Sequence, residues 1–400
     1  MDAGEGASTL HPLTAFVRDR TTLVLYAALG AFATAQVVPS LVAPSLRAEL
    51  GYSYLLTSTH LSAFAAGSVV AGLVGVPLTR RLGRTRVLSL GLVGAAAGTL
   101  GLTAGRSAWA TLLACLLTGA LGTLVMVAVQ AGLADHHGER RVVAFAESNV
   151  VASTGATLAP LVVGLLTVAT GSWRWGVAAI AVLVLVVAAL ARTTHVTTLA
   201  EHPQDAPRAA LSGRARAAVG LVFCSVLLEF SVSFWGATYL TDVVGMAATT
   251  AVTAMVCFFG AMLVGRAAGA VLSRRVAADL LVRVALTVAG CGLLLGALTT
   301  ATPWVLVALV LLGLGVSVLF PLGLSLAIAA APRASALVSG RCVTSGALAA
   351  LLGPLLIGQA ADEVGLRPAL LVLPLAVAGA VVLLRLTAGA VPVAPAARAR

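Results

Sequence analysis

Few strongly polar side chains interrupt the long apolar stretches of this sequence of 400 residues, and any chemistry has to be sought among them. Glu229 is the one carboxylate deep inside an apolar run, and Ser225 and Ser233 lie four residues to either side, one helical turn away on the same face. A carboxyl group withdrawn from water favours its neutral form. An acid so placed can load and release a proton; read structurally, it is a protonated acid hydrogen-bonded within its bundle, or one paired permanently with Arg266. Gln36, His60, Gln130, Glu147, Asn149 and Arg341 complete the polar set. Each would be costly facing hydrocarbon, so together they mark surfaces that line water or a substrate path.

These residues do not assemble an enzyme. No segment carries paired acids, a His and Cys constellation for a metal, or a nucleophile beside a base, and no glycine loop is built to cradle phosphate. Cys115, Cys224, Cys257, Cys291 and Cys342 fall in or at the edges of apolar segments without metal spacing, and read as small core residues. His136 and His137 share a polar loop and read as solvent-facing. No cofactor or metal is expected.

The elements that must hold these groups are dictated by composition. Hydrophobic residues make up 60% of the chain and charged residues 10%, and the mean hydropathy is +1.05. A water-soluble fold keeps about a quarter of its residues charged. The sequence instead reads as all-α and membrane-embedded, and at about 21 residues per span it accommodates about twelve transmembrane helices. Apolar segments run over 21–46, 55–79, 86–105, 109–134, 142–169 and 174–191, then over 217–241, 249–272, 281–300, 304–330, 336–360 and 368–387. The expected organisation is a cytoplasmic tail (1–20), a six-helix bundle (21–191), a cytoplasmic linker (192–216), a second six-helix bundle (217–387) and a cytoplasmic tail (388–400).

All 25 basic residues are arginine, and the net charge is +11. With both termini cytoplasmic, Arg47, Arg106, Arg174 and Arg367 fall outside, Arg266 falls within a span, and the other 20 lie inside or at the inner edge. The basic charge is thus an orientation signal, with anionic lipid headgroups as its partner and no role for nucleic acid. The chain is expected as a multi-pass, monomeric protein of the cell membrane.

The two halves repeat at an offset of 194 residues. Gly75, Leu78, Arg80 and Arg81 map onto Gly269, Leu272, Arg274 and Arg275; Gly119 maps onto Gly313, Pro160 onto Pro354, Gly164 onto Gly358 and Gly171 onto Gly365. Two parallel six-helix repeats with a substrate site between them describe one class of secondary transporters.

Over essentially its whole length the sequence resembles the major facilitator superfamily. The resemblance is carried by that repeat and by the loop after the second segment, Gly75 to Arg86, in which Leu78, Arg81, Gly83 and Arg84 match the family signature in register. Arg80 stands where the family usually has aspartate, and the leading glycine is displaced by one residue. Segment five carries Gly155, Pro160 and Gly164, similar to a degraded antiporter signature; it reads equally as small-residue helix packing, with Pro160 and Pro354 as kinks in segments five and eleven. Cys115 occupies the place of an arginine found in many proton-coupled exporters. Segments seven and ten, with Phe234, Trp235, Tyr239 and Gly313 to Pro321, look like the fucose-permease-type sugar branch, which makes Trp235 and Phe320 cavity candidates beside Gln36, Gln130, Asn149, Ser225 and Ser233.

Glu147 and Arg341 are equivalent under the offset and lie near the inner ends of segments five and eleven. In the implied fold Glu147 meets Arg274 or Arg275 when the inner side is closed; the alternative is a charge that snorkels to the interface. Asp135 and Glu139 are placed to clamp Arg81 and Arg84. The expectation is a proton-coupled secondary transporter of a small organic molecule working by alternating access, with export slightly favoured. A proton-coupled sugar or metabolite importer is the alternative, and a non-transporting membrane receptor on the same scaffold the rival outside the class.

Overall fold

The computed structural model describes residues 16–194, 196 and 211–387, and among these the regular structure is entirely helical. Twelve helices are long and apolar enough to cross a bilayer. They are α1 (Arg20–Leu50), α2 (Tyr54–Leu82), α3 (Arg84–Ala104), α4 (Ala108–His137), α5 (Arg141–Thr170) and α6 (Trp173–Arg192), followed by α7 (Gly213–Asp242), α8 (Ala248–Leu272), α9 (Ala278–Leu298), α10 (Thr302–Ala330), α11 (Leu337–Val364) and α12 (Leu366–Thr387). Most of the expected linker, most of the first tail and the whole of the last one lie outside the described residues. Twelve crossings return the chain to the end of the bundle where α1 starts, here termed the tail end; the opposite end is the far end.

Helix starts follow local chemistry. Asp19, Ser53, Ser107, Ser172 and Ser212 each use a side-chain oxygen to accept a backbone N–H of the first turn of α1, α2, α4, α6 and α7. The single residue between α2 and α3 is Gly83 at φ 82°, a conformation that a side chain disfavours. Three helices break near a proline that leaves a carbonyl without its donor. Pro39 follows the interruption of α1 at Val37, Pro321 lies four residues after the interruption of α10 at Ser317, and Pro374 lies four after that of α12 at Leu370. By contrast, α5 and α11 run on through Pro160 and Pro354 without a break.

The 194-residue repeat reappears as repeated packing. A β-carbon added at Gly119 of α4 would sit 2.0 Å from the Phe64 carbonyl oxygen of α2, and one at Gly313 of α10 would sit 2.3 Å from that of Phe258 of α8. Gly98 packs in the same way on Ala114 and Thr118, and Gly292 on Ala308 and Leu312. Each half is therefore a six-helix bundle whose glycines permit equivalent close approaches. The halves meet along two seams: Gly164 of α5 against Thr253 of α8, and Gly358 of α11 against Ser58 of α2.

Candidate functional site

Glu229 sits seventeen residues into the thirty of α7, on the order of 20 Å from either helix end at 1.5 Å per residue. Arg266 of α8 donates from Nη2 to its Oε1 at 2.9 Å, and from Nη1 to the Ser153 hydroxyl of α5 at 2.9 Å. One guanidinium thus ties an acid of its own half to a hydroxyl of the other. The Glu229 side chain is 16% exposed and that of Arg266 38%, so the pair is partly dehydrated but open on the guanidinium side. Gly260, six residues before Arg266, lies beside Thr157 of α5, while Gly265 abuts Ser317 at the break in α10 so closely that a β-carbon would not fit. Tight packing of α8 on α10 helps fix where the arginine emerges.

Asn149 precedes Ser153 by one turn on the same face of α5 and is exposed, its amide donating to the Phe145 carbonyl at 2.8 Å. The other candidates divide. Gln36 is half-buried beside the break in α1, and Gln130 is exposed. Ser225 is buried and donates to the Leu221 carbonyl at 2.7 Å, leaving Glu229 to Arg266; Ser233 is half-buried one turn further on. Phe320 packs against the tail-end part of α7 and approaches Gly346 of α11. Trp235 is fully buried: its indole N–H donates to the Pro354 carbonyl at 3.2 Å, and its ring meets Tyr54 edge-on at 5.8 Å. His60 is likewise a packed group, its ring nitrogens 2.9 Å from the Leu56 carbonyl and 2.8 Å from the Thr111 hydroxyl.

Glu147 is not brought to Arg274 or Arg275, both of which are exposed. It is held within its own half by Arg18, which donates from Nε to Oε2 at 2.9 Å and from Nη2 to Oε1 at 2.6 Å, and by the Tyr26 hydroxyl at 3.2 Å. The segment before α1 provides a competing partner that the spacing alone did not reveal. Its next residue, Asp19, lies 2.8 Å from a ring nitrogen of His136. Burial pushes the Asp19 carboxyl up, but hydrogen bonds from Thr22 and His136 together hold it below the usual range. Thr22 and His137 also meet, at 2.9 Å, so the two histidines tie down the N-terminal segment.

In the loop motif, Arg84 is buried and donates to Asp135 at 2.7 Å, while Arg80 and Arg81 are exposed, as is Arg341 of α11. The Glu139 side chain lies outside what is described.

The far end is closed by groups that were not singled out from the sequence. Arg47 of α1 pairs with Asp242 of α7, the Tyr54 hydroxyl donates to the same carboxylate at 2.8 Å, and the Arg47 guanidinium lies 3.6 Å from the centre of the Tyr54 ring. Asp362 of α11 accepts the backbone N–H groups of Tyr54 and Leu55 at 2.7 and 2.9 Å, capping α2 from the opposite half. Their signal in the sequence is faint: acids at the last turns of α7 and α11, which read as solvated helix ends. The cross-half hydrogen bonds and ion pairs named here run from the level of Ser153 to the far end, whereas Glu147 and Arg274 stand apart at the tail end.

The family model described as Major Facilitator Superfamily matches residues 23–354. No curated protein matches the sequence. Among solved structures, the fold is similar to that of a bacterial homologue of the human lysosomal transporter Spinster in an inward-facing, occupied conformation, with a TM-score of 0.72 at 12% identity over 93% of this chain and 97% of that one. It is similar also to the nucleoside transporter NupG, with a TM-score of 0.73 at 13% identity over 92% and 99% of the two chains.

Proposed function

The chain belongs to the major facilitator superfamily, whose members move substrates by alternating access, and on that premise we propose that it is a proton-coupled exporter of a small neutral or cationic organic molecule. The observation that carries the reading is the Arg266 bridge between Glu229 and Ser153. A charged Glu229 holds Arg266 in place, and Arg266 in turn holds the other half. Protonation removes that charge and loosens the cross-half bond, so proton occupancy and rocking become linked.

The arginine distribution supports cytoplasmic termini in the cell membrane. The tail end is then the inner side, and closure at Asp242 and Asp362 corresponds to an inward-facing monomer. Asn149, one turn below Ser153, lines the inner approach in this reading. Export is favoured over uptake by the small-residue face of α5 around Gly155, Pro160 and Gly164. The alternative, a proton-coupled sugar or metabolite importer, rests on the sugar-branch resemblance of segments seven and ten, where Trp235 is buried with its N–H committed to the Pro354 carbonyl.

The test is a thermal-shift screen of the purified full chain against antibiotics, sugars and other metabolites, followed by proton flux in vesicles with any stabilising compound. A compound at 100 times its dissociation constant adds about 2.7 kcal/mol of stability. Transport without any accompanying proton movement refutes the coupling, and ligand binding without transport points to a receptor.

A further inference from the structure

A groove of about 330 Å³ enters the C-terminal half among α7, α9, α10 and α12, near the far end. It runs from an exposed rim that includes Leu371 and Arg367 to a buried floor at Trp235. Two local features open it. Pro374 offers no N–H to the Leu370 carbonyl, so α12 breaks there and Leu373 bonds that carbonyl instead, at 3.0 Å. On the facing wall Gly296 of α9 contributes no side chain.

A groove with so apolar a lining offers water few partners, and the lining forfeits dispersion contacts while it is empty. In a bilayer the neighbouring hydrocarbon is the available filler. The mouth is polar and cationic: Tyr239 donates its hydroxyl to the Gly296 carbonyl at 2.8 Å, and Arg367 donates from Nη2 to the Ala297 carbonyl at 2.8 Å. At the same end Arg47 pairs with Asp242 and Arg174 with Glu49. Among the described residues Arg367 has no carboxylate within ion-pair distance, so its guanidinium leaves an uncompensated positive charge at the exposed rim. We infer that the groove holds one acyl chain of a glycerophospholipid, with the lipid phosphate on Arg367.

The test uses the full chain in phosphatidylcholine vesicles containing phosphatidylglycerol with brominated acyl chains, which quench indole fluorescence only on close approach. Replacing Trp109, Trp173, Trp175 and Trp304 by Phe leaves Trp235 as reporter. Trp235 is expected to be quenched although it is buried, and Gly296→Leu, which fills the groove, to abolish that quenching. Arg367→Ala is expected to raise the brominated fraction needed for half-quenching about five-fold, about 1 kcal/mol. An unquenched Trp235, or quenching indifferent to Gly296→Leu, overturns the proposal. Since the reporter chain loses the Trp173 bond to Glu49, the phospholipids retained by the otherwise unaltered chain and by Gly296→Leu alone are also counted by native mass spectrometry. One fewer lipid on the filled variant supports the proposal. Equal counts, or a dimer that Gly296→Leu dissolves, overturn it.

Discussion

Arg266 of α8 donates to Ser153 of α5 at 2.9 Å across the boundary between the halves while its second terminal nitrogen holds Glu229 at the same distance. Among the described residues no other side chain joins an intramembrane acid to the opposite half. The consequences of this link can be measured separately from those of the far-end closure and of the tail-end contacts.

Glu229→Gln keeps the shape and hydrogen-bonding capacity of the side chain but removes its change of charge. In vesicles with an imposed proton gradient, uphill transport is expected to be lost while ligand binding and exchange persist, and the pH dependence of binding to flatten. Uphill transport with an unaltered pH profile would assign the coupling elsewhere, to His60 or Glu147 first.

Arg266→Met leaves Glu229 as an uncompensated acid in the membrane interior. Breaking a fully buried pair costs about 3–5 kcal/mol; with Arg266 partly open to water, about 2 kcal/mol is expected, read as a lower unfolding temperature in detergent. Combining it with Glu229→Gln is expected to return most of that loss. If the double variant is less stable than Arg266→Met alone, the pair is not a closed electrostatic unit.

Glu147→Arg removes the carboxylate that holds Arg18, and under the proposed alternating access a closed tail end would bring position 147 toward Arg274 and Arg275. Transport is expected to slow about five-fold, the equivalent of a surface pair worth about 1 kcal/mol. Adding Arg274→Glu or Arg275→Glu is expected to recover part of the rate. Recovery with Arg18→Glu and with neither α8 partner would confine Glu147 to the N-terminal contact.

Asp362→Ala removes a helix cap worth about 1 kcal/mol, and Asp242→Ala removes the shared acceptor of Arg47 and Tyr54. Both variants are expected to raise the labelling of a cysteine introduced at Thr241 by impermeant maleimide several-fold, because the far end opens more often. Unchanged labelling in both would show that apolar packing around Trp235 and Tyr54 holds that end shut.

Reporter tags at residue 205 and at the C-terminus are expected on the same, cytoplasmic side, and a tag at residue 363 on the opposite one. Tags at 205 and 400 on opposite sides would be incompatible with six spans in each half.

The fold was legible because its signals are local or periodic. Every helix end lies within four residues of the end of an apolar segment, and the repeat could be read from the stretches ending in Arg80–Arg81 and Arg274–Arg275 and from the matched Pro160 and Pro354; Gly119 and Gly313 then lie against the backbone of equivalent phenylalanines. The pairing of Glu229 with Arg266 could be anticipated as a structural option, since a lone acid and a lone guanidinium at membrane depth have few other partners. Ser153 was not legible, because a serine costs little in an apolar helix and carries no mark of what it faces. Arg18 was missed as the partner of Glu147 for a different reason: 129 residues separate them, and only the packing of α1 against α5 brings them together. The closing acids Asp242 and Asp362 resemble ordinary solvated helix ends until the opposite half is in place.

The far-end latch has a consequence for how the resting molecule senses its surroundings. Arg47 and Asp242 keep 19% and 27% of their side chains accessible, and charges that near water are weakened by dissolved ions, whose screening length shrinks from about 10 Å at 0.1 M to about 3 Å at 1 M. The Arg266 and Glu229 pair is accessible too, at 38% and 16%, but it lies on the order of 20 Å from the far end of α7, behind that closure. Electrolyte at the far end therefore acts on one latch and spares the other, so that the balance of conformers follows the ionic strength on that side.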